Sequence, residues 1–194
     1  MHEMEKFRNN KNRKSQRLAN YDYSQNGMYF ISICTKNRQE LFGEIKDGTM
    51  VLNRSGEIVK NNLINISEYQ ENIFLDVFIV MPNHIHAIIE INYATLGVVG
   101  NNMGAVGNIV GAVHEPPLQA RRQMLMPKII GKFKMLSAKE INILLNNSGN
   151  PMWQRNYYDH IIRNDEALSK IREYIITNPE RWERDRNNEE NIFM

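Results

Sequence analysis

The run Val80-Met81-Pro82-Asn83-His84-Ile85-His86-Ala87-Ile88-Ile89-Glu90 sets two imidazoles one residue apart inside an apolar, β-forming stretch. Side chains of a strand alternate between faces, so His84 and His86 point one way and Ile85 and Ala87 the other. Two neutral imidazoles on one face are a bidentate site for a divalent metal. The plainer reading makes one of them a water-binding residue and the other a partly buried polar side chain near a strand end. Pro82 lacks an amide donor and Asn83 tolerates turn geometry, so the preceding ladder breaks there and the pair stands at the mouth of a strand.

A second stretch, Asn164 to Pro179, carries a phenol and a carboxamide. Asn164 is a good N-cap, Asp165 and Glu166 suit the positive end of a helix, and Pro179 disfavours helical geometry at Asn178. Leu168, Ile171 and Ile175 form the buried stripe with Tyr174 beside it. Asn178 follows Tyr174 by one turn on the same face. Taken alone, Tyr174 fills a core edge and Asn178 ends the helix. Taken with the histidines, the Asn178 amide oxygen and two ring nitrogens make a metal-ligand set of His84, His86 and Asn178 with open positions, and Tyr174 can reach a group bound there. A tyrosine of pKa about 10 is a poor nucleophile at neutral pH unless a base or cation favours the phenolate. A metal on a phosphodiester oxygen would also neutralise charge as phosphorus is attacked.

Other residues compete for these roles. Tyr157 and Tyr158 stand between Trp153 and His160, as alternative nucleophiles, packing elements or a base-stacking surface. His160 reads as a proton shuttle or, more simply, as a hydrogen-bonded structural residue. Arg155 and Arg163 are candidate phosphate contacts, although Arg163 also has the i,i+4 spacing to pair with Asp159.

The elements that must bring these residues together are legible in outline. Residues 27–35 read as a first strand, 40–45 and 50–52 as a hairpin about Lys46-Asp47-Gly48, and 55–69 as a helix through Ile58, Val59, Leu63 and Ile66. Strands at 73–80 and 84–91 follow. Residues 93–122 differ in kind, with Gly97, Gly100, Gly104, Gly107, Gly111, Pro116 and Pro117, and read as a flexible insertion. Helical periodicity resumes over 129–145, where Lys132 and Lys134 are either DNA contacts or part of a solvated outer face.

The chain of 194 residues, 42% hydrophobic, suits one domain with a real core rather than two. Its net charge of +2 is too small to indicate nucleic acid by itself, but residues 1–18 concentrate Lys6, Arg8, Lys11, Arg13, Lys14 and Arg17. That composition fits a phosphate-contacting arm or a solvated terminus. The single cysteine, Cys34, forms no internal disulfide and lies in an apolar run, as in a reducing compartment. The N-terminus is charged where a secretory signal needs an apolar core, and no stretch reaches the roughly 18 apolar residues of a membrane span, so a cytoplasmic protein without a membrane partner is expected.

The sequence resembles the single-tyrosine HUH transposases, in particular the REP-associated tyrosine transposases. The likeness lies in Met81-Pro82-Asn83-His84-Ile85-His86, in Trp153-Gln154-Arg155 with Asp159-His160-Ile161-Ile162-Arg163, and in Tyr174-Ile175 with Asn178-Pro179. It covers residues 25–182 apart from the insertion. It implies an α+β fold, a ferredoxin-like antiparallel sheet flanked by helices, between a basic arm at 1–24 and a tail at 183–194. It also implies metal-dependent cleavage and joining of single-stranded or hairpin DNA. Tyr174 would attack the scissile phosphate to give a 5′-phosphotyrosyl link and a free 3′-hydroxyl. His84, His86 and Asn178 would hold Mg²⁺ or Mn²⁺, although imidazole ligands alone also suit Zn²⁺. Arg13, Lys14, Lys132, Lys134, Arg155 and Arg163 would contact DNA, with the active unit a monomer or homodimer. Alternatives are a sequence-specific nucleic-acid-binding protein on the same fold with little or no cleavage activity, and a small metal-dependent hydrolase unrelated to DNA.

Overall fold

Strand β1, Gly27–Cys34, follows from its alternation: Tyr29, Ile31 and Ile33 are fully buried, while Phe30 and Ser32 face the other side. The computed structural model describes residues 21–94, 124–185 and 187–188. The basic arm up to residue 20, with Arg13 and Lys14, lies outside them, as does the glycine-rich segment beyond Ala94.

The expected hairpin forms from β2, Gly43–Lys46, and β3, Thr49–Leu52. Asp47 (φ 49°) and Gly48 (φ 70°) both adopt left-handed geometry, the pattern of a tight two-residue turn matched to strand twist. Helix α1, Arg54–Ile64, is capped by Asn53, whose side chain accepts the Gly56 amide. It is shorter than its periodicity suggests, because the chain tightens into a 3₁₀ turn at Asn65–Tyr69, where Asn65 and Ser67 are poor helix-interior residues. Strands β4, Ile73–Met81, and β5, His84–Ile91, flank the Pro82-Asn83 turn. Helix α2, Leu125–Leu144, begins ahead of the expected 129 because Pro127 falls in the first turn, where no amide proton is needed. Strand β6, Tyr158–Ile162, is too short to announce itself by periodicity. Helix α3, Asp165–Ile176, starts at Asn164, which accepts the Ala167 amide at 2.8 Å.

The four-stranded sheet runs β4-β5-β1-β6, antiparallel throughout. With α1 leading from β1 towards β4 and α2 joining β5 to β6, this is the βαββαβ order of a ferredoxin-like α+β fold. The two connecting helices cover one face, where Ile31, Ile33, Ile85 and Ile89 meet Val59, Leu63, Ile129 and Phe133. Helix α3 covers the other face over a smaller cluster of Phe30, Ile88, Ile162 and Ile175. No helix among the described residues is long and apolar enough to cross a membrane.

Trp153 anchors the loop before β6 to the larger core. It bridges to Thr35, packs on Phe42 and Phe133 with ring centroids 5.2 and 5.6 Å away, and donates its indole N–H to Ser137 Oγ at 3.0 Å. Trp153→Ala is expected to destabilise the fold by about 3–5 kcal/mol, read from urea denaturation. A loss below about 1 kcal/mol would contradict this anchoring role.

Candidate active site

His84, His86 and Ile88 share the α3 face of β5, whereas Ile85, Ala87 and Ile89 point into the larger core, as strand alternation requires. Both histidines are buried, and their Nε2 atoms lie 3.1 Å apart. That separation matches adjacent ligands on one ion, since two bonds of about 2.1 Å at a right angle span about 3.0 Å. A third donor completes the set: the ligating atoms of His84, His86 and Asp185 all lie within 4.8 Å of one another, and all three residues are buried.

Asp185 arrives by way of the segment that follows α3. Helix α3 ends at Ile176 with Thr177 as its cap, and Asn178, contrary to the effect expected of Pro179, keeps helical dihedrals (φ −58°, ψ −40°) and leads into a 3₁₀ turn at Pro179–Arg184, where Trp182 stacks on the His84 ring with centroids 6.0 Å apart and planes at 27°. Asp185, Asn187 and Asn188 are all buried, so the chain continues to pack beyond residue 182. Asn178 is also buried; its Nδ2 donates to Asp185 Oδ2 at 3.4 Å, and its Oδ1 has no hydrogen-bond partner among the described residues. A buried amide oxygen without a donor is costly, and an adjacent cation would satisfy it. Two imidazoles and a carboxylate therefore fit a divalent ion.

Tyr174 places its hydroxyl 3.2 Å from His86 Nε2, with ring centroids 5.2 Å apart. Phe30 packs against both, 5.3 Å from His86 and 6.1 Å from Tyr174. The helix carrying Tyr174 is fastened to β4 by Arg172, which donates from Nε and from a terminal nitrogen to the two Asp76 oxygens at 2.8 and 2.9 Å. The bond to Asp76 raises the Arg172 pKa above its ordinary value. Arg172→Ala is expected to slow any reaction at Tyr174 by about 10-fold, within the roughly 100-fold that a misplacement of about 1 Å costs. Divalent-metal affinity should fall less than the rate, because His84 and His86 lie on β5. Equal losses of rate and metal affinity would overturn this positioning role.

The competing tyrosines separate by face. Tyr157 packs with the larger core, away from the histidines. Tyr158 lies on the histidine face, registered through Ser32 to His86, with its ring edge-on to Phe30 at 6.1 Å. The exposed His160 shares that face, in register with Phe30.

The candidate DNA contacts are dispersed. The Lys134 ammonium donates to the carbonyls of Gln154, Arg155 and Asn156 at 2.7, 3.5 and 3.0 Å, so it tethers that loop. Lys132 lies over the Tyr69 ring at 4.4 Å, on the helix layer opposite the histidines. Arg155 is exposed on the loop before β6. Arg163 lines an open cleft of about 440 Å³ with Tyr158, His160, Asn164 and Ala167. Tyr23, Asp159 and Ile161 also line it, so the cleft runs along β6.

Asp185 is the residue that sequence reasoning missed. It sits between two arginines near the end of the chain, with no apolar periodicity or motif spacing to single it out.

The chain is 37% identical over 185 residues to an uncharacterized protein of Haemophilus influenzae, covering 89% of this chain and 91% of that protein. No protein-family model matches. Among solved structures, a REP-associated tyrosine transposase bound to a REP hairpin aligns over 84% of this chain and 72% of its own, at 15% identity and a TM-score of 0.46. A candidate transposase of Deinococcus radiodurans aligns over 84% and 96%, at 17% identity and a TM-score of 0.43. At these identities and scores, neither solved structure transfers its function to this chain.

Proposed function

We propose that this chain, which belongs to the same family as the uncharacterized Haemophilus influenzae protein, is a metal-dependent single-stranded DNA endonuclease and strand transferase with Tyr174 as nucleophile. The observation that carries the reading is the Tyr174 hydroxyl 3.2 Å from His86 Nε2, inside a buried His84, His86 and Asp185 cluster. A tyrosine hydroxyl beside a cation site is the pairing that phosphoryl transfer to a phenol requires.

His84, His86 and Asp185 would hold the ion, with the Asn178 amide oxygen as a further donor. Mg²⁺ or Mn²⁺ bound there would neutralise charge on a scissile phosphate. In the proposed step the Tyr174 oxygen forms a bond to phosphorus as the bond from phosphorus to the 3′ oxygen breaks. The phenol proton is given up and the leaving oxygen gains one, so the products are a 5′-phosphotyrosyl strand and a free 3′-hydroxyl. Reversal with a second 3′-hydroxyl joins strands without another energy source. Phe30 and the α3 packing hold the phenol over the histidine row. Arg155 and Arg163, with Arg13 and Lys14 of the arm, are the proposed phosphate contacts. Lys134 is set aside because its ammonium is committed to carbonyls.

Tyr174 and both histidines meet within one chain, so a monomer can hold the whole constellation. The proposed substrate is a hairpin-forming single strand, such as a repetitive palindrome or transposon end, met in the cytoplasm. The test incubates the protein with labelled hairpin-bearing single strands and Mg²⁺ or Mn²⁺ and looks for a denaturation-resistant adduct that chelation prevents. Tight DNA binding with no cleavage of any strand would instead favour the nucleic-acid-binding alternative.

A further inference from the structure

Asn83 is fully buried at the turn between β4 and β5, and every polar atom of its side chain is engaged. Its Nδ2 donates to the Arg38 carbonyl at 2.9 Å and to the Asn187 carbonyl at 2.8 Å. Carbonyls only accept, so these two bonds settle the amide orientation: turning it over would set Oδ1 against two oxygens. Oδ1 therefore faces His84 Nδ1, 2.9 Å away. An amide oxygen is also only an acceptor, so the proton of the neutral imidazole must reside on Nδ1, leaving the lone pair on Nε2. That Nε2 is the atom 3.1 Å from His86 Nε2.

We propose that Asn83 is a positioning residue that holds His84 in the Nδ1–H tautomer, keeping its Nε2 lone pair directed into the metal site. The inference rests on the metal-ligand reading of His84, and deepens it by naming what selects the ligand atom. Backbone contacts make the selector rigid: the Asn83 carbonyl accepts the Thr35 amide at 2.8 Å, and the Pro82 carbonyl accepts the Phe42 amide at 3.0 Å. Outer-sphere partners of this kind fix both ring orientation and tautomer of a metal-binding histidine. The same side chain bridges residues 38 and 187, tying the selector to the segment that carries Asp185.

The test uses the full-length, metal-free protein with ¹⁵N-labelled histidine, His84 being assigned from a His84→Gln variant. Wild type is expected to show a protonated Nδ1 and a pyridine-type Nε2 at His84. Asn83→Ala should shift His84 towards Nε2–H and weaken Mn²⁺ binding by about 10- to 100-fold, the range typical of lost outer-sphere support. The wild-type tautomer is read without any substitution, so it tests the proposal even where the alanine variant does not fold. An Nε2–H tautomer in wild type would overturn the proposal. So would weakened Mn²⁺ binding in Asn83→Ala with the tautomer unchanged, since Asn83 would then act only through its tethers. None of these readouts involves DNA: failure to cleave any strand, with the Nδ1–H tautomer and Mn²⁺ binding intact, would sink the strand-transfer reading and leave the role of Asn83 standing.

Discussion

Tyr174→Phe is expected to remove the covalent DNA adduct altogether, a loss of at least about 10³-fold in strand cleavage, as expected when the attacking atom of a covalent mechanism is deleted. The substitution removes one oxygen from a half-buried ring and leaves its packing on Phe30 and His86 in place. The lost hydrogen bond to His86 Nε2 costs about 1 kcal/mol of stability at most, so the fold should persist and the comparison reads chemistry alone. Mn²⁺ affinity should not fall, since the phenol is not one of the ligand set. Persistence of the adduct in Tyr174→Phe would overturn the assignment. Tyr158 would then be the next residue to test because it shares the histidine face, whereas Tyr157 packs on the opposite side.

Asp185→Asn is expected to weaken Mn²⁺ binding by about 100-fold or more, beyond the roughly 10- to 100-fold that an outer-sphere change costs. The physical reason is charge. Two neutral imidazoles offer a hard divalent cation no anionic donor, and Asp185 is the carboxylate whose oxygen falls within 4.8 Å of both ring nitrogens. Asn178→Ala should cost less, because the amide supplies a dipole rather than a charge. Calorimetric titration of the two variants decides between them. If Asn178→Ala proves the more damaging, the amide oxygen is the third ligand, and Asp185 orients it through its contact with Asn178 Nδ2. That outcome would restore the ligand set of His84, His86 and Asn178 that the sequence suggests.

The sequence by itself determined the local geometry of both halves of the site. Alternation in β5 puts His84 and His86 on one face, because a strand's side-chain period is fixed by covalent geometry. The Asn164 cap sets the start of α3 for an equally local reason, whereas Pro179 does not set its end: α3 stops at Ile176 and Asn178 keeps right-handed helical geometry. The likeness to HUH transposases also anticipated the ferredoxin-like strand order, which periodicity alone could not supply for a strand as short as β6. Only the tertiary structure decided that the two halves meet, joining Tyr174 to His86 across 88 residues. Only it brought Asp185 to the histidines and Asn83 to Asn187, across 104 residues. It also engages the Lys134 ammonium on three carbonyls of the loop before β6. Local backbone preference carries no information about such encounters. They arise because α3 must bury Ile175 against Phe30 and Ile88, and the chain leaving that helix is thereby led back over the histidine end of β5.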